Sequence, residues 1–431
     1  MSSRILSAQE RERWRRRDNS GDSNDKTPAA PEYRGGIDRN LVGIVLSLCG
    51  FGLMAVYSAS APEAQQSFHD STTLLRKQTM AFVIGLFVMF TVSRYDYRRL
   101  KKMAWPLALF ALASLAITLV NIPGLTVQTM GSSRWLTVGP LQFQPSEVAK
   151  VATILLLASG LSRYFWRDPQ ILLRIVVVLA MAGIVIKQPD LGSASMILAS
   201  LLTLLFASGT NFLLLLGALG GTALLAWQHV QKHPYQMARI ETWLNPYLHP
   251  QKEGWNIIQA QYAIGSGGLW GQGFGRSLQK LYYLPVQFAD FIFAVIAEEF
   301  GLIGCCLLIG LFALFGVYGY RAALSAKTLF GRILAIGITS EICTQAVINM
   351  MVTTGLLPVT GITLPFISYG GTSLVVTLSM VGILLSISRD RAAIDDDEDG
   401  EEADEVETTP PLPPNQPPTK PSLSPNALST L

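Results

Sequence analysis

Charge is scarce in this chain of 431 residues: only 15% of its side chains are Asp, Glu, Lys or Arg, well below the quarter or so usual for a soluble domain. That shortage excludes an ordinary solvated surface. Cysteine is scarce too. Cys49, Cys305, Cys306 and Cys343 fall inside apolar runs and form neither a disulfide framework nor a metal-ligand spacing, so they read as small packing residues. The first thirty residues hold no apolar segment, so no cleavable signal peptide is expected and the first apolar run serves as the insertion signal. No repeat of fixed period is found, and no inverted repeat of the transporter type. The glycine cluster Gly265, Gly267, Gly268, Gly271, Gly273 and Gly275 does not fit G-x-G-x-x-G, which excludes a dinucleotide fold. No nucleic-acid partner is expected.

What the chain has in abundance is apolar sequence, at 50% hydrophobic residues and a mean hydropathy of +0.35. It is packed into ten runs of roughly spanning length: 41–61, 79–93, 104–121, 146–165, 171–186, 190–207, 211–228, 290–318, 331–354 and 367–388. The expected fold is an all-α polytopic membrane protein with ten transmembrane helices. Orientation follows lysine and arginine in short loops. Arg94, Arg98, Arg99, Lys101 and Lys102, then Arg163, Arg167 and Arg174, then Arg321, Lys327 and Arg332 share a side only if both termini are cytoplasmic. Arg76 and Lys77 are a mild exception. The long segment 229–289, between helices 7 and 8, is then extracytoplasmic.

Three regions result: an N-terminal tail 1–40, a membrane domain 41–390, and a tail 391–431. The first tail carries nine basic and seven acidic residues, including Arg11, Arg13, Arg15, Arg16 and Arg17. It reads as a disordered segment held by anionic membrane lipid, or as a docking site for a cytoplasmic partner. The last tail holds ten acidic and two basic residues, followed by a proline-rich run, and cannot bury a core. Residues 1–390 together carry a formal charge of +11.

Polar groups cluster at the outer ends of the spans. Asp290, Glu298 and Glu299 lie within ten residues of each other, and ionisable groups at membrane depth cost about 3 kcal/mol each, so they mark functional sites by default. Asp290 is either a helix N-cap or a general base, and desolvation would raise its pKa while nearby cations would lower it. Glu298 and Glu299 lie two turns deeper, and a buried ion pair with another span is their expected role. The glycine cluster, with Arg276 and Lys280 after it and Lys232, Arg239 and Lys252 before it, forms either a solvated loop or a cationic surface for an anionic lipid-linked substrate. Arg134 and Trp135 precede the fourth span, where Pro145 suits a helix start. Glu147 and Lys150, three apart on one face, either neutralise each other or face the outer cavity. Lys187-Gln188-Pro189-Asp190-Leu191-Gly192 reads as a tight reversal. Glu341, Gln345, Asn349 and Thr353 form a polar stripe suited to interhelical hydrogen bonds, with a polar channel as the alternative. Residues 355–373, which include Ser368 and Tyr369, read as a broken-helix element.

Over residues 37–390 these motifs resemble the SEDS family, the FtsW/RodA/SpoVE group. The resemblance rests on Tyr57-Ser58-Ala59-Ser60, the Arg134-Trp135 region, QPSEVAK at 144–150, QPDLG at 188–192, AIGSGGLWGQGFGRS at 263–277, LP…DFIFAVIAEEFG at 284–301 and GLLPVTGITLPFISYGGTSL at 355–374. Thr363 makes the last motif closer to FtsW than to RodA. The resemblance implies a peptidoglycan glycosyltransferase of the bacterial inner membrane, at the division septum, polymerising lipid II with a class B penicillin-binding protein and other division proteins. It implies Asp290 as the catalytic residue and functional roles for Glu147 and Lys150. Val286, Phe288 and Ala289 depart from the family's LPEAHTDF pattern, which puts roles borrowed from those side chains in doubt.

The chemistry so implied needs a base for a sugar hydroxyl and positive charge for a departing diphosphate. Asp290 is the expected base, with Lys150, Arg134, Lys280 or a divalent cation (magnesium or manganese) steadying the diphosphate. Gln188, Asp190, Ser368 and Tyr369 are expected substrate contacts. Glu298, Glu299, Glu341, Gln345 and Asn349 are expected structural polar groups. The rivals are a lipid II flippase, an elongation polymerase of the RodA kind, and a scaffold of the division complex.

Overall fold

A computed structural model describes residues 36–120, 124–129, 132–138, 141–164, 168–232, 234–248, 250–251, 254–277 and 288–390. Lys280, Lys252, Val286 and the two tails (residues 36–40 apart) lie outside the described residues. Twelve α-helices are present among them: α1 (Arg39–Phe68), α2 (Thr73–Arg94), α3 (Leu100–Val120), α4 (Pro145–Leu161), α5 (Pro169–Lys187), α6 (Leu191–Ala207), α7 (Phe212–Gln231), α8 (Pro234–Leu244), α9 (Trp255–Gly267), α10 (Ile292–Leu324), α11 (Leu329–Thr353) and α12 (Gly371–Ser388). Each of the ten expected spans coincides with a helix, α1 to α7 and α10 to α12.

Seven of these, α1, α2, α3, α5, α10, α11 and α12, are long and apolar enough to cross a membrane by length and composition. The chain is a multi-pass membrane protein. The helices α4 and α6 have only 17 residues each, or about 25 Å. Every residue of α4 except Val148 and Val151 is buried. It is the central post of the bundle, surrounded by protein, so its length need not match the bilayer. Local chemistry sets the helix starts. Pro145 opens α4 and Pro169 opens α5. Asp168 accepts from the Gln170 amide, and Thr328 caps α11 through the Gly331 amide, each satisfying an orphan donor.

The basic turns meet at one end of the bundle. There Asp390 accepts from Arg98 at 2.6 Å and from the Tyr97 hydroxyl at 3.0 Å, and lies 3.4 Å from Lys327. The opposite end carries the other connections: Thr372 donates to the Gln142 carbonyl, Trp243 to that of Gly355, and Arg134 to that of Pro189.

Two features at this second end go beyond the sequence reading. The fold is not purely α-helical, because a three-stranded antiparallel sheet precedes α4: β1 (Thr126–Thr129), β2 (Ser132–Val138) and β3 (Leu141–Phe143), in the order β1-β2-β3. Its Thr and Val residues suit a short ribbon. The 229–289 segment holds α8 and α9. The latter packs Ala260 and Ala263 against Phe291 and Ala294 at the start of α10.

The glycine cluster also has a different role from the one expected. Gly301 interrupts α10 with φ +64°, so Leu302 and Ile303 cannot donate to the carbonyls of Glu298 and Glu299 four residues earlier. Residues 268–273 complete the broken ladder. Leu302 and Ile303 donate to Gly268 and Leu269, while Gln272 and Gly273 donate to Glu298 and Glu299. The close backbone approach that Gly267 and Gly271 permit is toward the helix α10, at the carbonyls of Ala297 and Glu299. It places residues 268–273 about 14 Å along α10, with their irregular backbone satisfied by protein as hydrocarbon requires.

Gly301→Ala should test this splice. An added Cβ would lie 2.6 Å from the Leu269 carbonyl oxygen, on a backbone that disfavours side chains. The expected outcome is a loss of roughly 2–4 kcal/mol, read as a lower melting temperature and poor membrane yield. Gly310→Ala, where nothing lies within 4 Å, should be neutral or slightly stabilising.

Candidate active site

A cavity of about 440 Å³ opens at the end of the bundle that carries the sheet. Its walls include Arg134, Glu147, Lys150, Asp290, Gln345 and Tyr369. Five elements supply them: the sheet, α4, the turn before α10, α11, and the connection that follows it.

Asp290 sits in the turn before α10. The residue at the N-cap position is Phe291, and no side chain caps the helix, so the capping alternative for Asp290 falls away. Three successive carbonyls hold the turn: the Tyr369 amide donates to Phe288 at 2.9 Å, the Ser368 hydroxyl to Ala289 at 2.5 Å, and the Asn349 amide to Asp290 itself at 2.9 Å. The Phe288 ring meets Tyr369 edge-on at 5.5 Å. The backbone is thus fixed from α11 and from the 361–370 connection while the carboxylate is left to the cavity. Gly361, at φ +75°, comes close to that carboxylate. Asp290 keeps part of its surface open to the cavity but is otherwise surrounded by protein. Burial pushes its pKa up to about 6; Arg239 and Arg134 pull it down and Asp190 pushes it up. Sequence left that balance open, and desolvation wins.

On α4, Lys150 Nζ lies 3.0 Å from Glu147 and donates to Gln345 Oε1 at 2.8 Å. Glu147 and Lys150 therefore pair with each other and also line the cavity, so the two alternatives left open in sequence hold together. The stripe on α11 is buried and bonded across helices. Glu341 accepts from Ser200, Gln345 donates to the Thr363 carbonyl, and Asn349 donates to those of Asp290 and Ile362. Glu298 accepts from Ser277, and Glu299 from Ser58 at 2.5 Å.

The remaining expected contacts divide. Arg134 lines the cavity, but two of its donors are spent on the carbonyls of Gln188 and Pro189. The Gln188 side chain turns to Leu115 and Thr118, away from the cavity. Asp190 caps α6 through the Ser193 amide and hydroxyl. Ser368 does its work on the Ala289 carbonyl, whereas Tyr369 faces the cavity. Lys280 lies outside the described residues. Sequence reasoning noted Arg239 only as one cation among several. It reaches from α8 to the Val359 carbonyl and is the foremost charge acting on Asp290. Nothing local could have paired them, because 51 residues separate the two.

For a divalent cation the donor set is poor. Among the described residues no three His, Cys, Asp or Glu side chains converge, and of the two carboxylates in the cavity wall Glu147 is engaged by Lys150. The described residues do not form a dedicated metal site.

Comparison with known proteins agrees with this architecture. The family model described as "Cell cycle protein", FtsW/RodA/SpoVE, matches residues 39–393. The chain is 40% identical over 356 residues to a probable peptidoglycan glycosyltransferase FtsW of Trichlorobacter lovleyi, covering 81% of this chain and 93% of that one. It is 40% identical over 361 residues to stage V sporulation protein E of Bacillus subtilis, covering 82% and 97%. Among solved structures, a chain of a peptidoglycan synthase complex that coordinates polymerization and crosslinking superposes with a TM-score of 0.70 at 33% identity, covering 83% and 99%. Rod shape determining protein RodA of Thermus thermophilus does so with 0.62 at 32% identity, covering 83% and 98%. The chain belongs to the FtsW/RodA/SpoVE family.

Proposed function

We propose that this chain is a peptidoglycan glycosyltransferase that polymerises lipid II at the outer face of the cytoplasmic membrane. One observation carries the reading: the Asp290 carboxyl, on a backbone held at three carbonyls, faces a cavity shared with Lys150 and Arg134, where burial pushes its pKa up to about 6. Asp290 is ionised at neutral pH yet basic enough to accept a proton from a sugar hydroxyl. As that hydroxyl oxygen bonds to the anomeric carbon of a second lipid-linked disaccharide, the carbon–phosphate-oxygen bond breaks with inversion. The bonding pair leaves on the polyprenyl diphosphate, and the proton passes to Asp290. Lys150 and Arg134 stabilise the developing charge. Glu147 and Gln345 fix the Lys150 ammonium, so little reorganisation is needed during the reaction. A soluble sugar nucleotide has no place in this scheme.

The polar wall also favours a polymerase over a flippase. Beyond the cavity, Glu341 and Ser200 are buried and bonded to each other, and the next layer is mostly apolar: Ile154, Leu204, Leu334 and Ile338, all buried, with the hydroxyls of Thr153 and Thr339 among them. A path for a diphosphate sugar would need polar groups through that layer. A division role with septal location is supported by the FtsW relatives, and a class B penicillin-binding protein partner by the synthase complex. A fluorescent fusion that follows the lateral wall instead of the septum would shift the reading to elongation.

Asp290→Asn should lower lipid II polymerisation by at least about 100-fold in a gel assay of the purified chain with its partner. Wild-type activity should rise with pH through about 6 and then level off. Polymerisation by the Asn variant at the wild-type rate would overturn the base assignment. The stability change has the opposite sign. An ordinary aspartate, at 3.8, loses its proton on unfolding where the folded group keeps it. Wild-type stability therefore falls as pH rises from about 4 to about 6. Above that range the Asn variant should be more stable by roughly 1–3 kcal/mol, and the gap should close below pH 4.

Asn349→Ala tests the clamp. It strips donors from the carbonyls of Asp290 and Ile362, which should cost about 1–3 kcal/mol. A displaced base should lower the turnover number roughly 10- to 100-fold.

A further inference from the structure

The stripe on α11 contains one group that the reaction does not use. Glu341 is the central residue of this 25-residue helix and is 2% exposed. Its Oε2 accepts from Ser200, but its Oε1 has no hydrogen-bond partner. Facing it from α4 are Lys150 and Glu147, and both act on it electrostatically. Glu147 spends Oε1 on Lys150 and leaves Oε2 without a partner. Thr153, fully buried one turn further along α4, also has an unpartnered hydroxyl. Asp190, at the start of α6, adds its field to Lys150. Two carboxylates thus share one ammonium, leaving an excess negative charge and two unpartnered carboxylate oxygens. A lone charge there is expensive, and a buried acceptor without a donor costs about 1–3 kcal/mol more.

We propose that Glu147, Lys150 and Glu341 form a buried site for one further monovalent cation, a proton or a sodium ion, between α4 and α11. The added charge balances the triad and gives the unpartnered Glu341 oxygen a partner. It also relieves Lys150 of competition from Glu341, leaving the ammonium to Glu147 and the cavity. The site stands on charge and geometry alone and does not require the polymerase reading.

The test uses the full-length chain in lipid nanodiscs at pH 8, carrying Asp290→Asn so that this carboxyl gives no signal, with and without Glu341→Gln. Melting temperature and the infrared carbonyl stretch of protonated carboxylic acids are recorded in sodium chloride and in choline chloride at equal ionic strength. If a proton fills the site, the Glu341 parent shows an acid band in choline that Glu341→Gln abolishes. If sodium fills it, the parent melts higher in sodium than in choline and Glu341→Gln loses that dependence. Should Glu341→Gln fail to fold, the parent decides by itself: no acid band and no preference for sodium overturns the proposal. A band or sodium preference that persists unchanged in Glu341→Gln overturns it too. Lys150→Met in the same background should strengthen whichever signal is found, since one compensating charge is gone.

Discussion

The Lys150 ammonium is the charge on which the polar interior of this bundle depends. It lies 2% exposed on the most enclosed helix, where an unpaired cation could not persist. Glu147 and Gln345 hold it in place, and through Gln345 it reaches the 361–373 connection. That connection in turn carries Ser368 and Tyr369, which grip the turn bearing Asp290. One buried pair is thus linked by named hydrogen bonds to the group proposed to do the chemistry. Breaking the pair would leave a lone buried charge, a larger penalty than losing the hydrogen bonds themselves.

Irregular backbone is the second constraint, because hydrocarbon offers it no partners. Among the described residues two such stretches lie at depth, and each is satisfied from within. At Gly301 a neighbouring turn supplies the missing donors and acceptors. In 355–370, Leu364, Phe366 and Ile367 bury their side chains in the core, and Asn349, Gln345 and Ser368 serve its backbone. The first joins residues 268–273 to α10, and the second draws on Gln345 and Asn349 of the packed helix α11 as well as on Ser368 within the stretch.

Much of the fold could be read in the sequence because an apolar run of spanning length has few alternatives. The broken element at 355–373, the start of α4 at Pro145 and the helical stripe from Glu341 to Thr353 were legible for similar reasons. The sheet was not, since its strands are short and their Thr, Ser and Val residues sit in a stretch that also reads as a loop. Helix α9 was overlooked although Ile257, Ala260 and Ile264 recur at helical spacing. Within the site, Asp290 was legible as a carboxylate out of place. The contribution of Arg239 was not, nor the turn of Gln188 away from the cavity, because both depend on tertiary approach. The glycines announced close backbone contact, but sequence could not say with what.

The splice at Gly301 bears on the order in which the molecule is made. Residues 268–273 leave the ribosome before α10 does, so the groups that mend its interrupted ladder are already synthesised when that helix enters the bilayer. The turn at 288–290 is in the reverse situation. Its donors reside at 349, 368 and 369, among the last parts of the membrane domain to emerge. The helix can therefore be completed early, while the carboxylate at its head stays unanchored until translation of the whole bundle is nearly finished.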